Sequence, residues 1–190
     1  INAAAAFYAR WRQRAIFRLT PLADEGLDRA LKQRGYSLEE PTFVQVAEIR
    51  PTSASADAYI TNTVHDAWIN AAASIRGLSG DEATIFAMQH RAVAVDSVWM
   101  LIERDKRPVA AGVAALERGW AGLHGIHVAK SVRRQGLARK LSEGLLGIAY
   151  ARGARRAWLQ VAQANTAALP LYHGLGFRNA YSYHHRVGLK

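Results

Sequence analysis

The sequence predicts an α/β fold: a mixed, mostly antiparallel sheet with helices on both faces. Three observations carry that expectation. Two strand-like runs, Val95 to Glu103 and Pro108 to Glu117, flank the turn Arg104-Asp105-Lys106-Arg107 and make a hairpin. Leu137, Leu141, Leu145 and Ile148 recur three and four apart, the period of a helix with one buried face. The 190 residues, half of them hydrophobic, suffice for one well-buried domain, or one domain plus part of another.

Taken in order, residues 2–14 read as the end of a helix and Ile16 to Thr20 as a short strand closed by Pro21. A helix is expected from Leu22 to Arg34, stopped by Gly35 in the usual C-terminal position. Alternating β-branched residues give a strand over Thr42–Ile49. Pro51 to Asp57, small and polar, reads as a linker. Two helices follow, Tyr59–Ile75 and Gly80–Gln89, parted by Gly77-Leu78-Ser79-Gly80. After the hairpin come a third strand, Trp120–Val128, and the long helix from Gly136 to about Arg152. A strand at Ala157–Ala162, a helix at Thr166–Leu175 ending on Gly176, and a strand around Tyr181–Val187 close the chain. Pro170 costs that last helix only a first-turn hydrogen bond if Thr166 caps it. The five tryptophans are read as core.

Composition narrows the function classes. The absence of cysteine excludes disulfides, thiolate zinc sites and cysteine nucleophiles, and suits the cytoplasm, a reducing compartment. No apolar run reaches the roughly 18–20 residues of a membrane span. The opening Ile1-Asn2-Ala3-Ala4 carries neither a signal pattern nor an initiator methionine and reads like mid-helix, so a longer natural protein is expected. The net charge of +10 favours an anionic partner, whether nucleic acid, acidic membrane or polyphosphate cofactor.

An internal repeat is also legible. Gly35-Tyr36 and Gly176-Phe177 each end a helix that follows a short strand, at an offset of 141 residues that holds without a gap from Ala15 to Val46. Residues 1–48 are therefore read as a partial, degenerate N-terminal copy and 49–190 as the main domain.

The chemistry gathers in Val128-Ala129-Lys130-Ser131-Val132-Arg133-Arg134-Gln135-Gly136-Leu137-Ala138-Arg139. A strand ends, a basic loop follows, and a helix opens with small residues. The first N–H groups of a helix lack internal partners and have the positive end of the helix dipole behind them, while Gly136 allows close backbone approach. These features describe a pyrophosphate site, with neither a Walker P-loop nor a dinucleotide motif.

Arg133-x-x-Gly136-x-Ala138 resembles the R/Q-x-x-G-x-G/A signature of the GCN5-related N-acetyltransferases (GNAT). Asn165-x-x-Ala168-x-x-Leu171-Tyr172-x-x-Leu175-Gly176-Phe177 supplies the family's second element at the usual distance, and the element order fits. The resemblance spans about residues 43–190. Ala138 replaces the commoner glycine, and Lys130 stands where proline is frequent. The resemblance implies acetyl-CoA as cosubstrate. The backbone of Ile126, His127 and Val128 would bond its pantetheine arm. The loop and helix start formed by Arg133, Arg134, Gln135, Gly136, Leu137, Ala138 and Arg139 would hold its pyrophosphate, and Asn165 would contact its arm. Tyr172 would be the general acid and the Val128 N–H the oxyanion donor, in direct attack by a primary amine within a ternary complex.

The base is open. The strand Trp120–Val128 has no carboxylate, only His124 and His127; His124 is the catalytic candidate, with Glu103 and a water relay as alternatives. The two histidines lie opposite Ile126 only if a bulge at Gly125 interrupts the strand. No metal set is expected from His124-x-x-His127 or His184-His185. Tyr181, Tyr183 and His184 are read as bordering an acceptor pocket. The acceptor is a small-molecule or peptide amine, with no specific nucleic acid, no membrane, and a homodimer left open. Two rival readings stand beside the enzyme. One is a catalytically silent acyl-CoA-binding GNAT fold. The other is a basic module using Val132–Gly147 as a DNA-reading helix, in which the Asn165–Tyr172 element has no role.

Overall fold

The structure, a computed structural model, describes residues 1–52 and 58–189. Its elements run α1 (Asn2–Ala9), β1 (Ile16–Leu19), α2 (Glu25–Gln33), β2 (Ser37–Glu48), β3 (Ala58–Thr61), α3 (Asp66–Arg76) and α4 (Gly80–Arg91). They continue with β4 (Ser97–Arg104), β5 (Arg107–Glu117), β6 (Trp120–Val128), a 3₁₀ turn (Lys130–Val132), α5 (Leu137–Ala151), β7 (Arg156–Ala162), α6 (Ala168–Gly174) and β8 (Arg178–Val187). The strands form an eight-stranded sheet in the order β1-β8-β2-β7-β6-β5-β4-β3. It is mostly antiparallel, and β6 and β7 run parallel. The predicted mixed sheet with helices on both faces is what the chain forms.

Contacts divide the chain into two compact units. The larger comprises Val46–Leu159 and Leu171–Phe177. Its β4–β5 hairpin turns through Asp105 and Lys106, both at positive φ (50° and 58°), the geometry of a two-residue primed turn. One sheet face packs on α3 and α4. Trp68, Ile69, Ala72 and Phe86 meet Trp99, Leu101, Ala111 and Val113, and the Trp68 indole N–H donates to the Met100 carbonyl at 3.1 Å. The other face takes α5. A Cβ built on Gly112 would lie 2.6 Å from Ile126, 3.1 Å from Leu141 and 3.2 Å from Leu145, so glycine there lets the helix sit close.

The smaller unit comprises Ile1–Gln45, Gln160–Pro170 and Arg178–Lys190. In it α2 packs on β8 through Asp28, whose carboxylate accepts from Arg186 Nε (2.8 Å), Arg186 Nη2 (3.1 Å) and His184 Nε2 (2.8 Å). These donors hold the Asp28 carboxyl well below the usual carboxylate range, the hydrogen bond from Arg186 most and that from His184 next.

Helices α2 and α6 share a capping pattern. Asp24 Oδ1 caps α2 by accepting from Gly26 N–H (2.8 Å), and Asn165 Oδ1, 141 residues on, accepts from Ala168 N–H (3.2 Å). Tyr36 N–H bonds the Leu31 carbonyl (3.1 Å) as Phe177 N–H bonds that of Tyr172 (3.0 Å). Gly35 and Gly176 are both left-handed, at φ 79° and 92°. Both helices thus end in the same αL cap.

Several expectations need correction. Residues 58–61 are not helical: they form edge strand β3 paired to β4, and the helix starts only at Asp66. Tyr59, Ile60 and Thr61 are strand formers, and pairing with β4 holds them extended. Strand β2 begins at Ser37, five residues early, and accommodates Pro41 with Glu40 at φ 52°. The first helix ends at Ala9, and Trp11 is 69% exposed rather than core. Asn165, not Thr166, caps α6. Most of the linker expected at Pro51–Asp57 lies outside the described residues. Among the described residues no helix is long and apolar enough to cross a membrane.

Candidate active site

The site is built around a bulge in β6. Val113 pairs with His124 and Ala111 with His127, so one residue of β5 is opposed by both Gly125 and Ile126. Gly125 takes φ 59°, which glycine adopts at little cost. Directly opposed residues share a face, and Val113 and Ala111 belong to the α3 side. His124 and His127 therefore both face α3, while Ile126 faces α5. The bulge anticipated at Gly125 is present.

The same strand leaves its neighbour. Pairing with β7 ends at Leu123–Leu159, and β6 runs on through Val128. Ala129 N–H donates to the Val109 carbonyl at 2.8 Å, and in an antiparallel ladder the alternation then turns the Val128 N–H and C=O toward the opposite edge. The Val128 carbonyl there accepts from Arg133 Nε at 3.2 Å. Arg133 thus grips the strand end, and the Val128 N–H is left pointing into the gap.

Beyond the 3₁₀ turn the chain passes through Arg134 (φ 64°) and Gly136 (φ 76°) into α5. The first bond into the helix is Lys140 N–H to the Gly136 carbonyl at 3.0 Å, so the N–H groups of Leu137, Ala138 and Arg139 are without helical partners. A Cβ on Gly136 would meet nothing within 4 Å: open space lies over the helix start. Leu137 is buried and anchors the turn, and Gln135 accepts from Arg104. Arg139 reaches Glu143 (3.3 Å) and the Gly174 carbonyl (3.5 Å), tying the first turn of α5 to the end of α6. A Cβ on Gly174 would lie 2.6 Å from Arg139 Nη2, so a side chain there would displace that guanidinium. Open left-handed backbone, N–H groups without helical partners and an arginine-rich loop fit a pyrophosphate.

Tyr172 is buried on α6 and meets Phe177 edge-on, ring centroids 5.9 Å apart. Burial pushes its phenol above the ordinary value, so it stays protonated at neutral pH. His124 lies edge-on to Trp158 at 5.0 Å, and partial desolvation lowers its pKa. Desolvation also lowers that of His127, against a raising contribution from the Gly125 backbone, with the cations Arg76 and Arg133 adding to the fall. His127 Nδ1 is buried without a hydrogen-bond partner of normal geometry.

Ile126 through Arg139 and Tyr172 all belong to the larger unit, where Arg139 bonds the end of the helix that carries Tyr172. Asn165 belongs to the smaller unit, where its side chain serves as the helix cap already described. Three contributors were not singled out from sequence. Trp158 had been counted as core, although Gly122 leaves it room against His124. Arg76 lies in a helix whose local sequence gives no sign of the site, and the Arg139–Gly174 link joins residues 35 positions apart.

Comparison with known proteins agrees with this geometry. Residues 65–177 match the sequence model of the acetyltransferase (GNAT) family. Sixty residues are 43% identical to the ribosomal protein bS18-alanine N-acetyltransferase of Escherichia coli (strain K12), over 32% of this chain and 40% of that protein. The match thus spans two fifths of that curated relative's length. A GCN5-related N-acetyltransferase from Kribbella flavida superposes with a TM-score of 0.72 at 22% identity, covering 97% of this chain and 72% of that one. A tandem GNAT protein from the clavulanic acid biosynthesis pathway gives 0.72 at 12% identity, covering 98% and 67%. At such identities the two structures speak for the fold alone.

Proposed function

The chain belongs to the acetyltransferase (GNAT) family, and from that premise we propose that it transfers an acetyl group from acetyl-CoA to a primary amine by direct attack in a ternary complex. Members of the family use acetyl-CoA, which supplies an activated thioester when bound. The observation that carries the reading is the helix start: left-handed Gly136 with open space above it, followed by three N–H groups without helical partners. Arg133, Arg134, Gln135, Leu137, Ala138 and Arg139 hold the pyrophosphate, and the outward edge of Ile126, His127 and Val128 receives the pantetheine arm.

Each remaining residue has one task. The Val128 N–H, turned into the gap, donates to the oxygen that becomes negative as the amine adds. His124, neutral above its lowered pKa, accepts the proton an ammonium must lose before it can attack. Tyr172, held protonated by burial, donates to the departing sulfur. Burial makes that donation harder in the ground state and favours it only once charge has gathered on sulfur. The test is a time course of free-thiol release from acetyl-CoA with a panel of primary amines. Amine-dependent release is expected; heat protection by acetyl-CoA without release from any amine would replace this reading with that of a silent acyl-CoA-binding fold.

We infer further that residues 1–48 are a degenerate partial copy of the domain formed by 49–190. The matched caps, αL turns and strand–helix–strand order at an offset of 141 residues support this. At the place of Tyr172 that copy has Leu31, which carries no hydroxyl, so chemistry belongs to the second copy alone.

A further inference from the structure

The geometry points to the α-amino group of a peptide as the acceptor, with ε-amines and polyamines poor substrates: the α3-side face of β6 presents two imidazoles, and β6 itself carries no carboxylate. The inference rests on the acetyltransferase reading and narrows its substrate class.

Ile126 and α5, the cradle side, lie on one face of the sheet, and the bulge sends His124 and His127 to the other. An amine that meets the thioester at the gap in β6 approaches from that second face. Its surroundings there are Trp158 beside His124, the Gly125 backbone at the bulge, and the cations of Arg76 from α3 and Arg133 from the loop facing His127. Trp120 to Val128 contains no Asp or Glu, and among the described residues neither histidine pairs with a carboxylate. The one carboxylate of the first turn of α3, Asp66, is taken by Arg91 at 2.7 Å.

Two consequences follow for the acceptor. A second positive charge near the amine would meet guanidinium groups, whereas a carboxylate or a neutral peptide group beside it would not. The proton acceptors available are also weak bases, both pushed below the ordinary histidine value. A peptide α-amine, with a pKa of about 7.7–8.0, is partly free at pH 7, but a lysine ε-amine near 10.4 is roughly 300-fold less so. A weak base serves the first and fails the second.

A free amino acid keeps its carboxylate beside the ammonium and is therefore far more basic than a peptide N-terminus, so the peptide N-terminus is the expected source. Thiol release from acetyl-CoA at pH 7 is compared for free alanine, trialanine, Nα-acetyl-lysine amide and spermidine. Trialanine is expected to exceed the other three amines in kcat/KM by roughly 10-fold or more. A smaller margin, or preference for the ε-amine or spermidine, overturns the inference while leaving the acetyltransferase intact. No release in any arm removes both. Arg76→Glu supplies a second measurement: it should raise spermidine use relative to trialanine several-fold, and an unchanged ratio also counts against the inference.

Discussion

Tyr172 and Phe177 meet edge-on beneath the turn that Arg139 ties to α5, so a Tyr172→Phe replacement keeps the ring and removes only the hydroxyl. General acid catalysis contributes about 10²–10⁴-fold, and a loss of kcat near the lower end is expected where water partly substitutes. Steady-state kinetics beside a measured acetyl-CoA affinity decides it: a loss under twofold with affinity unchanged makes Tyr172 a packing residue. For His124 the sign follows from its lowered pKa. The base form predominates above that pKa, so kcat/KM falls as pH drops through a value below the usual 6.5 and is flat at neutrality. His124→Gln should abolish that acid limb along with most activity; a limb that persists in the variant assigns it to another group, with Glu103 next in line. Gly136 combines open space with φ 76°, so Val there would strain the backbone as well as fill the cradle, whereas Asn tolerates the left-handed region. Gly136→Asn therefore isolates the cradle: acetyl-CoA affinity should weaken by roughly 10-fold or more with little change in Tm.

Among the elements, the pairing of α2 with β8 carries a stability prediction. Arg186 is nearly buried and depends on Asp28, while the Asp28 carboxylate remains partly in water. Asp28→Ala leaves that guanidinium short of its main acceptor and should destabilise by about 1–3 kcal/mol, less than for a fully buried pair. Because the carboxyl is held below its ordinary range, its contribution is present above pH ~4 and is lost as pH falls below that, which thermal melts at pH 3 and 7 of both proteins would reveal. The elements also show what a sequence discloses. Helix α5, the β4–β5 hairpin and the arginine-rich loop were legible because their periodicity and turn chemistry are local. The bulge was legible as a condition, through Gly125, but which face the histidines took required the register against β5. Strand β3 was not legible, because its pairing with β4 is long-range. The role of Trp158 depends on the absence of a Cβ at Gly122, visible only once the strands are side by side.

For the whole molecule, the proposed chemistry belongs to the larger unit, which holds the Gly136 loop and Tyr172. The net charge of +10 fits that chemistry, since the loop and helix start that carry Arg133, Arg134 and Arg139 suit a polyphosphate. Those arginines had also allowed a nucleic-acid reading, but α5 buries Leu137, Leu141, Leu145 and Leu146 against the sheet, so the helix once offered as a groove reader is a core element. Calorimetric titration of acetyl-CoA into the wild-type chain and into Gly136→Asn tests the central claim most directly. One site per chain is expected, at the Gly136 cradle, with a loss of affinity of roughly 10-fold or more in the variant. Two sites per chain, no binding, or a variant that binds as tightly as the wild type would contradict it.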